Sequence, residues 1–133
     1  MKWNLPRLTW ELDCEPLGCP GVKIVFWLNA DIEMKNVPSW SKVEGEEKQR
    51  EALKKAPAWD TWFHYQILHC VDCIVVPAQY LKDAEGETRV TFASAQEVWE
   101  FEHAPGFDPQ ILQWALKQYS AQRQARLQAE AKN

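Results

Sequence analysis

No stretch of the chain approaches the roughly 18 to 20 apolar residues that a membrane-spanning helix requires, and Lys2-Trp3-Asn4-Leu5-Pro6 lacks the apolar core of a secretory signal. The expectation is a soluble protein with no membrane partner that stays in the compartment where it is made. Concentrated positive charge is missing too, since 15 Lys and Arg stand against 19 Asp and Glu for a net charge of -4. Phosphate contacts need a clustered basic surface, so this balance excludes a general nucleic-acid binder. Histidine is scarce, at His64, His69 and His103, and none stands in a His-Glu-x-x-His pattern. Any nucleophile would have to be a cysteine, and nothing in the spacing groups Cys, His and acid; the chain is expected to be non-enzymatic and to need no cofactor. There is no internal repeat, and no low-complexity tract apart from a Gln/Ala/Arg bias after residue 118.

What is present is the balance of a globular domain, 46% apolar and 26% charged over 133 residues. A chain of this size buries about two thirds of the surface its unfolded form exposes, enough for a core without disulfide or metal staples. Residues 7–14 alternate strictly, placing Leu8, Trp10, Leu12 and Cys14 on one face of a strand and Thr9, Glu11 and Asp13 on the other. Two Pro and two Gly between residues 15 and 21 set a turn, and Val22–Asn29 resumes as a second, more deeply buried strand, completing a hairpin. Val71–Val76 reads as a central strand closed by Pro77. A second hairpin is expected to follow, with residues 79–82 and 88–92 as arms and Asp83-Ala84-Glu85-Gly86-Glu87 as the turn.

Residues 41–57 are dominated by charge, with Glu44/Lys48, Glu46/Arg50 and Glu51/Lys55 four apart and the acid first. This is an exposed helix over 45–56 stopped by Pro57, or else a flexible linker. Trp59, Trp62, Phe63, Gln66 and Ile67 follow at helical spacing. Ser94-Ala95-Gln96-Glu97 is a capping box, which starts a helix running to His103. Asp108-Pro109 starts the last one, anchored by Ile111, Leu112, Ala115, Leu116 and Tyr119. Beyond Tyr119 the apolar stripe fails. Residues 117–133 carry +3 and residues 1–116 carry -7. The fold class is therefore α+β: two β-hairpins and a central strand form a small antiparallel sheet packed by helices, with a C-terminal helix. Residues 1–119 are expected to form a single domain, and 120–133 an exposed basic helix end. The expected core holds Leu8, Trp10, Leu12, Ile24, Phe26, Val71, Val75, Trp99, Leu112 and Leu116.

Cys14, Cys19, Cys70 and Cys73 fall in two pairs, the raw material of a tetrahedral zinc site. If residues 69–76 are continuous strand, however, Cys70 and Cys73 point to opposite faces. Free cysteine is more often a small buried apolar residue, and the expectation is no metal, with these four as the candidate ligands should one bind. A Cys14–Cys19 disulfide is conceivable across the hairpin loop, although a reducing cytosol would keep it open. Of eight Trp, most read as core. Trp27 and Trp40 fall outside the cleanest stripes and are candidates for an exposed contact patch.

The motif Leu17-Gly18-Cys19-Pro20-Gly21 before the strand Val22–Leu28 and Asn29, the acidic turn Lys82-Asp83-Ala84-Glu85-Gly86-Glu87, and a closing helix from Asp108 together resemble the small tail-assembly chaperones of long-tailed bacteriophages. The resemblance covers about half the chain; residues 40–69 carry none of it, and Cys19 stands where such sequences have an aromatic. It implies a non-enzymatic protein of the infected host's cytoplasm that binds phage tape-measure and tail-tube proteins during tail morphogenesis, with a possible homo-oligomeric state. It also implies an extended second product made by ribosomal frameshifting, with which the codons available for Ala131-Lys132-Asn133 are compatible. Trp27, Trp40, Arg123 and Arg126 are then the expected partner-binding residues. Two other readings stand beside it: a structural virion component, such as a head-tail connector or tail-completion protein, and a cysteine-coordinated zinc adaptor.

Overall fold

The computed structural model describes residues 8–28, 34, 36–82 and 85–131. It has the expected α+β class, with four strands in one antiparallel sheet and four helices, the longest C-terminal. Two compact units divide the chain, one comprising Met1–Ala30, Val71–Thr91 and Pro109–Asn133, the other Asp31–Cys70 and Phe92–Asp108. Among the described residues no helix is long and apolar enough to cross a membrane.

The first unit holds the sheet, in the order β1 (Thr9–Asp13), β2 (Lys23–Trp27), β3 (Val71–Val76), β4 (Thr88–Val90). Alternation makes β1 one-sided, and its place at the sheet edge leaves Trp10 and Leu12 only half-buried. Leu8, expected in the core, precedes that edge strand and is 46% exposed. β2 lies between two strands, and its consecutive residues Ile24, Val25 and Phe26, which alternate between the two faces, are all buried. Ile24 sits opposite both Leu12 and Ile74, while Val25 sits opposite Cys73. The register then slips from Val25↔Cys73 to Phe26↔Val71, making Asp72 the extra residue of a β-bulge in β3.

The β1–β2 connection is a shaped loop. A 3-10 turn at Glu15–Leu17 ends on Gly18 at φ 83°, and Gly21 has φ 88°. Both angles disfavour a side chain, and a Cβ on Gly21 would come 3.0 Å from Pro77 Cγ. One carboxylate oxygen of Asp13 accepts from the amides of Glu15 (2.8 Å) and Gly21 (3.3 Å).

The second hairpin differs from expectation. Residues 78–80 form a 3-10 turn rather than a strand, and β4 pairs with β3 itself, Ile74 opposite Val90. Pro77 lacks the amide needed to extend the ladder, and Tyr80 turns away so that its hydroxyl donates to Pro20 O at 2.9 Å. Asp83 and Ala84 of the expected turn lie outside the described residues. Helix α4 (Gln110–Ala131) follows Asp108-Pro109 and buries Ile111, Leu112, Ala115 and Tyr119, with Leu116 half-buried. Tyr119 stacks on Phe26 with ring centroids 4.6 Å apart, Phe26 in turn lies 5.9 Å from Trp10, and the Tyr119 hydroxyl donates to Trp27 O.

In the second unit a 3-10 turn (Ser39–Lys42) precedes α1 (Glu46–Lys55), α2 (Trp62–Cys70) and α3 (Ala95–Glu102). The charged segment is helix rather than linker. It buries none of its residues; Glu46 pairs with Arg50, Glu51 reaches Lys54, and Gln49 Nε2 donates to Val43 O at 2.7 Å. Cys70 ends α2 and Val71 opens β3 with no residue between, so the central strand has its expected bounds, while His69 and Cys70, which a continuous strand over 69–76 would include, are helical. Ser94 caps α3 by accepting from Glu97 N, but the reciprocal contact is shifted by one residue: Glu97 accepts from Ala93 N. Val98 is the buried centre of α3 and Trp99 is half-buried rather than core.

Candidate functional site

Buried polar side chains mark the places where a fold holds chemistry or a brace, and three occur in the second unit: Asp60, His64 and Glu102. Asp60 is 1% exposed and precedes α2. Its carboxylate accepts from Ser39 N (3.1 Å) and Ser39 Oγ (2.5 Å), and its carbonyl accepts from Trp40 Nε1 (2.6 Å). Tyr65 also bonds this carboxylate; burial first, then the Asp60 charge, raises the phenol pKa above its ordinary value. Asp60 thereby ties the Ser39–Lys42 turn to the start of α2.

Thr61 opens that helix. Its Oγ1 accepts from His64 N (3.2 Å) and lies 2.6 Å from His64 Nδ1, while His64 Nε2 lies 3.1 Å from Glu102 Oε1 on α3. One proton assignment satisfies all three contacts: the threonine hydroxyl donates to Nδ1, and Nε2–H donates to the carboxylate. The Thr61–His64–Glu102 chain has the composition of a proton relay, but its hydroxyl already serves the helix start. Mechanically it clamps α2 to α3. Glu102 Oε2 is buried without a hydrogen-bond partner among the described residues, and His103 Nδ1 stands 3.8 Å from Oε1 while also donating to Trp99 O at 2.9 Å.

The cysteines are distributed differently. Cys14 opens the β1–β2 loop and Cys19 lies within it, Cys70 ends α2, and Cys73 in β3 clusters with Val25 and Val75, where Arg89 Nη1 approaches its sulfur at 3.9 Å. None of the four is in a disulfide, and Cys14, Cys70 and Cys73 are buried. Because Cys70 is helical, strand parity does not relate it to Cys73. Among the described residues no group of three or more His, Cys, Asp or Glu could hold a metal ion. Burial, reinforced by Cys19 and Asp13, pushes the Cys14 thiol up to about 12; burial and then Asp72 raise that of Cys73, against a smaller lowering by Arg89.

The expected partner-binding residues occupy both units. Trp27 is half-buried at the end of β2. Trp40 is half-buried, anchored by Asp60 and edge-on to Trp62 at 6.3 Å. The more exposed aromatics are Trp62, at 44%, and Tyr80, at 42%. Sequence reading missed Trp62 because its spacing from Trp59 and Phe63 placed it on the same helical stripe as core residues. Arg123 and Arg126 are half-buried on α4 past Tyr119, and Leu127 beside them is 52% exposed. Lys132 lies outside the described residues.

Comparison with protein-family models, with curated proteins and with solved structures found no match.

Proposed function

We propose that the chain is a non-enzymatic tail-assembly chaperone of a long-tailed bacteriophage, acting on tape-measure and tail-tube proteins in the host cytoplasm. The observation that carries the reading is the division of α4. Its first half buries Ile111, Leu112, Ala115 and Tyr119, yet from residue 120 to residue 129 the same helix continues with no buried residue. A helix that continues beyond its own core offers a preformed surface to a long helical partner. Leu127 supplies exposed apolar area, and the positive end, set on a chain of net charge -4, favours encounter with acidic stretches. Trp27 or Trp40 would contribute aromatic contact area, and the truncation of a true aromatic anchor to Ala would weaken binding by about thirtyfold.

The test is co-expression with the tape-measure protein encoded nearby, followed by mass spectrometry of purified particles. The chaperone reading expects a soluble complex that weakens with added salt, and finished virions free of this chain. Recovery at fixed copy number in virions would replace it with the structural-component reading.

A further inference from the structure

The loop joining β1 to β2 brings the backbones of two cysteines within disulfide range, one of them accessible and the other buried. Cys19 N donates to Cys14 O at 3.1 Å. With standard covalent lengths, that bond holds the two Cα atoms within about 7 Å even if fully straightened, and nearer 6 Å with the usual bend at the amide. A disulfide spans Cα separations of roughly 4.4 to 6.8 Å. The loop is shaped without its cysteine side chains: Cys14 N donates to Val22 O (2.8 Å), Asp13 gathers the amides of Glu15 and Gly21, and Tyr80 holds Pro20 O. The two cysteines differ in access, Cys14 being 0% exposed and Cys19 half-buried.

We propose that Cys14 and Cys19 form a thiol-disulfide modification site, closed by exchange with a small disulfide such as oxidised glutathione. Cys19, the accessible sulfur, attacks as thiolate and forms a mixed disulfide, releasing one glutathione thiol. Cys14 then loses its proton and attacks Cys19 Sγ; the Cys14–Cys19 bond forms, the bond to glutathione breaks, and a second glutathione leaves. Two electrons pass to the oxidised glutathione, and the two protons end on the two glutathione thiols. The buried, hard-to-ionise Cys14 makes the second step the slow one. Cys70 and Cys73 take no part.

The full-length chain is equilibrated in buffers of increasing oxidised-to-reduced glutathione ratio, quenched with alkylating agent and digested with trypsin. Cleavage after Arg7 and Lys23 gives a peptide, residues 8–23, that contains Cys14 and Cys19 and no other cysteine. Closure is expected as an unalkylated peptide lighter by two hydrogen atoms, with Cys70 and Cys73 fully alkylated. The same titration in denaturant should need a glutathione ratio about tenfold more oxidising, because the folded loop holds the sulfurs together. Cys19→Ser should prevent both closure and glutathione addition, whereas Cys14→Ala should leave a stable glutathione adduct on Cys19. An equal ratio in folded and denatured protein, an adduct on wild-type Cys19 that never closes, or a disulfide involving Cys70 or Cys73 would each overturn the assignment.

Discussion

Tyr119 fixes α4 to the sheet through two contacts that mutation can separate. Its ring stacks on Phe26 at 4.6 Å and 17°, leaving the residue 4% exposed, while its hydroxyl donates to Trp27 O at 2.7 Å. Tyr119→Phe keeps the ring and removes the bond, an expected loss of about 1 kcal/mol. Tyr119→Ala also removes a buried aromatic, for which truncation costs about 3–5 kcal/mol; with the lost hydrogen bond the sum approaches about 4–6 kcal/mol. The Phe variant should therefore show about a fifth of the Ala variant's loss, or a fall in melting temperature on the order of 4 °C. Urea denaturation is the assay, with both variants required to keep the wild-type slope so that midpoints report stability. A Tyr119→Ala loss below about 1 kcal/mol, the size of the hydroxyl contribution alone, would refute the stacked anchor.

Other substitutions test separate parts of the fold. Ser94→Ala removes the acceptor for Glu97 N and should cost about 1 kcal/mol by chemical denaturation. Deleting residues 121–133 should leave the melting temperature within about 4 °C of wild type, since none of residues 121–129 is buried; a larger fall would mean that the segment packs on its own chain. Cys14 predicts alkaline sensitivity. Its thiol moves from the ordinary 9.0 up to about 12 on folding, so its stabilising effect is complete below about pH 9 and is lost as pH rises toward 12, while the unfolded chain sheds the proton and the folded one keeps it. The slope is about 1.4 kcal/mol per pH unit within that window, and Cys14→Ala, compared with wild type at pH 8 and 10, should lack this component.

Local chemistry made much of the architecture readable. The alternation from Leu8 to Cys14, the burial of β2, the serine cap of α3 and the stripe from Ile111 to Tyr119 each follow from one residue's relation to near neighbours. Where local punctuation is absent, pattern alone does not separate the elements. Residues 67–76 contain neither Gly nor Pro, and an apolar run alone does not separate a helix end from a strand, so His69 and Cys70 read equally well as strand. Leu8 shares the parity of Trp10, but parity is blind to the sheet edge. The buried polar cluster was illegible for another reason: His64 and Glu102 are 38 positions apart, and only the Thr61-to-His64 spacing of three is local. The anchoring of Trp40, whose indole N–H donates to the carbonyl of Asp60 20 positions away, is likewise beyond local pattern.

The strand order carries a temporal consequence. Leu12 and Ile24 are neighbours 12 positions apart, whereas Val25 and Cys73 are neighbours separated by 48. Closing the longer span costs only about 1.2 kcal/mol more, two doublings at roughly 0.6 kcal/mol each, so equilibrium tolerates it. Synthesis does not make both edges at once. The β1–β2 ribbon can pair as soon as it leaves the ribosome, but β3 follows only after about 2 to 10 seconds of further elongation at roughly 5–20 residues per second. Throughout that interval the β3-facing edge of β2, with Ile24, Val25 and Phe26 in line, has no native strand to receive it. This gives any early-binding partner a defined window in which to shield the nascent chain, and makes the same few seconds the period of greatest exposure to misassembly.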